Sequence, residues 1–208
     1  FEYLKHNQVL SSVRGLYDNL VEVVKDYFDL YASIPTKTLE SLSSVMYIHK
    51  VPNDNYGYYV LNVRAQGLYF YDIIPEGKRD IYYPIQFVVP YEKNQHLSGY
   101  DVGTLDNFKK ELLKARDENI TVATPVFDFR KDTAEFFLIN PVYQKNVKLD
   151  SKSKRQKYFS GLVALEIDAK SFFKTSLGTG NQADSTVIFQ VYNVGGTGNE
   201  DIIFESEN

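Results

Sequence analysis

Asp101 stands in GYDVGTLDNF (99–108), directly after an apolar, aromatic stretch and just before a helical pattern. A carboxylate at such a junction has two uses. It can accept hydrogen bonds from nearby backbone amides and close a turn, or it can face a pocket and meet a donor that enters. Spacing alone leaves both open. Asp128 and Glu135 could pair across a hairpin, as glycosidase carboxylates do, although the wet face of a sheet explains them more simply. His6, His49 and His96 share no metal-ligand spacing and read as surface or turn residues. The glycine-rich stretches GTGNQ (178–182) and GGTGNED (195–201) lack the Lys-Ser/Thr of a phosphate-binding loop and read as turns. YFSGL lacks the flanking glycines of a nucleophile elbow. The residues therefore point to no catalysis, no metal and no cofactor, and leave Asp101 as the candidate contact.

Composition narrows the class. The chain has 208 residues, 43% of them hydrophobic, which is enough for a real core. Seventeen Tyr and fourteen Phe suit half-buried sheets. A net charge of −4 argues against nucleic acid as the main partner. With no cysteine there are no disulfides and no thiol chemistry. No run of 18 apolar residues occurs, so this stretch does not itself span a membrane as a helix. A start at Phe1 and an uncapped DIIFESEN tail read as a soluble piece of something longer.

The elements that must position Asp101 follow from periodicity. Leu10, Val13, Tyr17, Leu20, Val24, Tyr27 and Tyr31 repeat at alternating spacings of 3 and 4, which predicts one long helix with a heptad seam. Such a helix would reach roughly 50 Å, long enough to meet a second copy, and Pro35 would end it. A short helix is expected over 38–45, with strands over 58–63, 68–73 and 81–89. A helix over 105–119 with Thr104 as N-cap comes next, then strands over 121–130 and 134–141. The polar stretch 144–157 carries six basic residues without interleaved aromatics and reads as a solvated loop. A strand over 158–168, a short helix over 169–177 and a hairpin of 185–194 with 201–206 complete the pattern.

The order of motifs is more specific than any one of them. Tyr83-Pro84-Ile85, Pro90, Asn94, Gly99-Tyr100-Asp101, Ala115-Arg116, Thr124-Pro125, Pro141-Val142-Tyr143 and the run from Gly161 to Asp168 succeed one another. YIHKVP, ending at Pro52, precedes them. Over about residues 40–175 this succession resembles the CHASE domain. That is the extracytoplasmic sensor region of histidine kinases, nucleotide cyclases and diguanylate cyclases, including the plant cytokinin receptors. The resemblance implies an α/β (α+β) fold in which a long N-terminal helix is followed by two PAS-like units with antiparallel sheets. Residues 1–35 would be the signalling and dimerisation helix, 36–143 the membrane-distal ligand-binding unit and 144–208 the membrane-proximal unit. It further implies a homodimer through the helix, flanking transmembrane helices in a bacterial membrane protein, and a kinase or diguanylate cyclase output elsewhere.

For the site, the resemblance implies a small ligand held by the Asp101 carboxylate and the Ala123 backbone. Tyr69, Tyr83, Phe87, Phe137 and Ile139 are expected as pocket walls. The strand of Phe137 and Ile139 carries Ile where plant receptors have Thr, and the walls are more aromatic than a cytokinin needs. The alternative is a periplasmic protein-interaction module with no small-molecule ligand.

Overall fold

The computed structural model describes residues 2–130, 133–177, 190–193 and 201–205. Both glycine-rich stretches fall outside these residues, apart from Asp201. The chain runs α1 (Glu2–Asn19), α2 (Lys25–Thr38), β1 (Leu42–His49), β2 (Val51–Pro52) and α3 (Tyr56–Ala65). Then come β3 (Ile81–Tyr82), β4 (Ile85–Val89), α4 (Tyr91–Asn94), α5 (Asp106–Glu118) and β5 (Val122–Ala123). It ends with β6 (Glu135–Tyr143), α6 (Lys152–Tyr158), β7 (Phe159–Asp168), α7 (Ala169–Ser176), β8 (Gln190–Asn193) and β9 (Asp201–Glu205). Among the described residues no helix is long and apolar enough to cross a membrane.

Five strands form one antiparallel sheet in the order β4-β1-β7-β6-β5. Both faces are covered. Leu10 and Val13 of α1 and Phe28 and Ala32 of α2 pack with Val45, Tyr47, Phe87, Leu138, Val163 and Leu165. On the opposite face Phe108, Leu112 and Ala115 of α5 pack with Met46, Ile48, Ile85, Phe137, Ile139, Leu162 and Ala164. Two-sided burial explains why β1 and β7 read as continuous apolar runs rather than alternating ones. It also corrects the expected helix over 38–45: the spacing of Leu39, Leu42 and Val45 is helical, but Val45 to Ile48 are all buried in β1.

The expected boundary at residue 144 does not divide the sheet. β7, expected in the second unit, is the central strand, flanked by β1 and β6. Its apolar residues on both faces need cover on both sides, which only the middle of the sheet provides. After β7 the chain continues into α7 and the β8–β9 hairpin. Within 144–157, Ser151 accepts from the Lys154 amide and starts α6 inside the expected loop.

The expected long helix is two helices. It breaks between Asn19 and Lys25, where the Lys145 ammonium bonds the Leu20 carbonyl. The break shifts the phase, so that Phe28 and Ala32 turn inward while Tyr27 and Tyr31 are about half exposed. Pro35 lies inside α2 rather than ending it. YYVLNV (58–63) forms the body of α3 instead of a strand, because Tyr59, Val60 and Val63 then face the core together. Burial overrides strand propensity there.

A buried aromatic chain ties α1, β1 and α3. Tyr17 stacks on Tyr47 at 4.0 Å, and the Tyr47 hydroxyl lies 3.1 Å from His49 Nδ1. His49 stacks on Tyr59 at 5.2 Å, and the Tyr59 and Tyr71 hydroxyls bond at 2.8 Å. Burial pushes the His49 imidazole down to about 4. In the unfolded chain it titrates near its usual ~6.5, so between these values the unfolded state holds the extra proton.

The unfolding free energy is therefore expected to drop as pH falls from about 6.5 to about 4, and His49→Phe to flatten that slope in urea titrations at stepped pH. At Gly161 a Cβ would lie 2.2 Å from the Ile48 carbonyl oxygen, whereas at Gly57 it meets nothing within 4 Å. Gly161→Ala therefore costs about 1–3 kcal/mol in urea unfolding, and Gly57→Ala costs nothing.

Candidate functional site

Asp101 is fully buried, and its surroundings are built by neighbouring glycines. Gly99 has φ +84, and a Cβ there would meet the Asp72 carbonyl oxygen at 1.8 Å, so only glycine lets the two backbones approach. That approach brings Asp101 N–H to the Ile74 carbonyl at 2.7 Å and aligns Asp101 with Pro84 as an isolated bridge. Asp101 Oδ1 then accepts from the Tyr83 amide at 2.8 Å and the Gly103 amide at 2.9 Å. The Thr104 hydroxyl donates to the Asp101 carbonyl at 2.7 Å; Asp101 caps the short 3-10 turn that leads to α5, and Leu105 rather than the expected Thr104 stands at the N-cap of α5, with no side-chain bond.

The turn-closing role of this aspartate is thus filled by one oxygen. The other, Oδ2, is buried and accepts no hydrogen bond; Arg79 Nε lies 3.5 Å away. A buried carboxylate oxygen without a donor is costly. The arginine, about a quarter exposed, is its counter-charge.

The expected walls divide. Tyr83, Phe137 and Ile139 are buried in one core, the one that also holds Val102 beside Asp101. Phe87 is buried on the opposite face of the sheet with Tyr47 and Phe28. Tyr69 is 75% exposed after α3 and lines nothing with them. Ala123 is exposed on edge strand β5. The Thr124 amide bonds the Phe137 carbonyl, so the alternation of an antiparallel pair turns the backbone groups of Ala123 to the open edge.

The space over Phe137 is occupied by side chains. Phe108, Phe127 and Phe129 have ring centroids 5.2, 5.7 and 5.1 Å from it. Phe127 and Phe129 come from the segment between β5 and β6, and Arg130 on the same segment makes a forked ion pair with Glu166. Glu166 also accepts from the Ser44 hydroxyl at 2.5 Å, while Arg130 Nη1 donates to Asn94 Oδ1 at 2.6 Å. Glu135 is buried nearby; burial, with Glu166 adding to it, raises its carboxyl above the usual range. Asp128 is exposed; opposite Glu135 in the ladder stands Asp168, and the buried carboxylate that acts on Glu135 is Glu166, diagonal to it on β7.

Sequence reasoning missed this polar group. Its one signal was a glutamate inside the apolar run GLVALEID. The histidines also differ from expectation. His6 is buried, with Nδ1 2.8 Å from the Glu2 carbonyl and Nε2 3.2 Å from Ser41 Oγ. Among the described residues no cluster of His, Asp and Glu could hold a metal ion.

Comparison with known proteins gives three findings. The family model described as CHASE domain matches residues 22–204, most of the chain. No curated protein matches. Among solved structures, similarity is found to an "extracellular ligand binding receptor" from Desulfohalobium retbaense DSM5692, with TM-score 0.49 and 10% identity over 82% of this chain and 23% of that one. It is also found to an extracellular domain described as that of a histidine kinase, mmHK1S-Z3, with TM-score 0.47 and 12% identity over 95% of this chain and 60% of that one. The chain thus spans less than two thirds of either. CHASE domains are extracytoplasmic sensor domains, not catalytic ones. On the family match across residues 22–204, this chain belongs to the CHASE domain family.

Proposed function

We propose that this sensor domain binds a small, flat molecule bearing N–H donors on the α5 side of the sheet. The observation that carries the reading is Asp101 Oδ2, a buried oxygen that accepts no hydrogen bond. A ligand N–H would supply the donor, and the outward-turned backbone of Ala123 offers a second contact. Tyr83, Phe137 and Ile139 form the apolar floor, reached when Phe127 and Phe129 swing off it. Phe87 and Tyr69 have no part in this site.

Binding favours whichever arrangement of the 124–130 segment leaves the floor open, and only by its differential affinity. The shift passes through β6 to α1, which packs across it, and through β7 to α7. His6 of α1 sits edge-on to Phe172 of α7 at 5.5 Å, so both routes meet at one end of the sheet. In the full-length protein that end would lead to the transmembrane helices and, beyond them, a kinase or diguanylate cyclase. The segment after Asp168 then serves as the membrane-proximal unit.

The domain works as a homodimer through α2 in this reading. Tyr27, Leu30, Tyr31 and Ile34 are each 52–66% exposed and lie at i, i+3, i+4 and i+7, one stripe of the helix. A groove of about 400 Å³ between α1 and α2, lined by Val9, Tyr31, Ile34, Pro35 and Leu39 among others, continues it.

A second reading, an interaction module for a periplasmic protein, is favoured by Phe70 and Tyr69, which are 99% and 75% exposed.

Thermal-shift screening against a library of planar nitrogen heterocycles separates these readings. The sensor reading expects at least one compound that stabilises the wild type and fails to stabilise Asp101→Asn, whose Oδ1 still accepts from Tyr83 and Gly103. A compound that stabilises both proteins equally removes Asp101 from the site. Sedimentation analysis checks the dimer: Leu30→Glu and Ile34→Glu should shift a wild-type dimer to monomer without lowering its helix content.

A further inference from the structure

The other side of the sheet carries a second cleft, of about 440 Å³, that the Asp101 site does not use. Three parts of the chain build it. Glu22 comes from the break between α1 and α2, Tyr58, Tyr59 and Asn62 from α3, His49 from the end of β1 and Gln86 from edge strand β4. The break lets Glu22 reach the rim, and the helical form of YYVLNV puts Tyr58 and Asn62 on the exposed side of α3.

The chemistry of the lining is unusual for a surface depression. It holds no lysine or arginine. Asn62 and Gln86 each offer an amide that both donates and accepts. The imidazole of His49 is fixed, stacked parallel to Tyr59 within 4° and bonded at Nδ1 to the Tyr47 hydroxyl, while Nε2 has no hydrogen-bond partner among the described residues. Buried against these rings, His49 stays neutral at physiological pH, so its Nε2 donates or accepts according to the direction of the Tyr47 bond at Nδ1. Tyr58 is 73% exposed at the mouth, an aromatic face on which no ring stacks among the described residues. Glu22 adds one carboxylate, an acceptor for two adjacent donors.

Amides, a neutral imidazole, one carboxylate and a free aromatic face match a ligand rich in hydroxyls with an apolar C–H face. They do not match an anion, for which there is no cation, nor an apolar molecule, which would leave the amides unpaired. We propose that this cleft is a second binding site, specific for a neutral saccharide. Hydroxyls bond to Asn62, Gln86, His49 Nε2 and Glu22, and the ring stacks on Tyr58.

The test uses 15N-labelled protein titrated with glucose, N-acetylglucosamine and trehalose, followed by amide shifts. At least one sugar should give saturable shifts that map to His49, Tyr58, Asn62 and Gln86. His49→Phe keeps the ring stack and removes both nitrogens; it should raise Kd about five- to tenfold, the scale of one lost hydrogen bond. Gln86→Ala, at a half-buried edge position, should do the same and guards against a folding artefact in the first variant. The proposal is overturned if none of the three sugars shifts these amides, or if both variants bind as the wild type does. Shifts confined to amides around Asp101 and Tyr83 overturn it too, and would leave the first site standing alone.

Discussion

Burial of the five-stranded sheet on both faces governs the rest of the molecule. The buried apolar residues of its strands divide between two cores, and the two cores have different partners. Helices α1 and α2 close one, and α5 closes the other. A site cannot draw on both faces from the middle of the sheet. It must form within one layer or at an edge. The Asp101 region lies within the α5 layer, and Ala123 lies on the β5 edge. Gln86 is on the opposite edge strand, β4, and His49 ends β1 beside it.

The same burial makes the Glu166–Arg130 pair a structural commitment. Glu166 is wholly buried in the central strand, where an isolated carboxylate would be strongly disfavoured. Arg130 supplies the counter-charge from a segment outside the sheet, and Ser44 and Asn94 complete the hydrogen bonds. A buried pair of this kind adds little net stability but is costly to break on one side. Its effect is to fix where the 124–130 segment sits, and so to hold Phe127 and Phe129 over Phe137.

Much of this was legible in the chain. The α5 pattern, the strands of β6 and β7 and the short α7 could be read from periodicity, because each presents a regular apolar face. The errors have physical causes. The heptad seam from Leu10 to Tyr31 ignores the break at 20–24, since a repeat of apolar residues says nothing about a joint that changes phase. Leu39, Leu42 and Val45 look helical because a strand buried on both faces loses its alternation. Tyr58 to Val63 look like strand because β-branched and aromatic residues also suit a helix that packs on a core. Asp101 stood out from its position before a helix, although position alone left its role open and only the family resemblance made it a ligand contact. Phe87 could not be sorted from Phe137 without the register of the sheet, which brings Phe87 opposite Tyr47. Glu166 was missed because one charge in an apolar run carries no sign of its partner.

The joint between α1 and α2 has a mechanical meaning. One continuous rod would carry rotation from end to end; two short rods meeting at a corner do not. The corner is pinned by an ammonium group two residues past the end of β6, resting on the Leu20 carbonyl. The two helices therefore seat on the sheet separately, α1 across β6 and β7 and α2 across β4 and β1, which one straight helix of that length could not do.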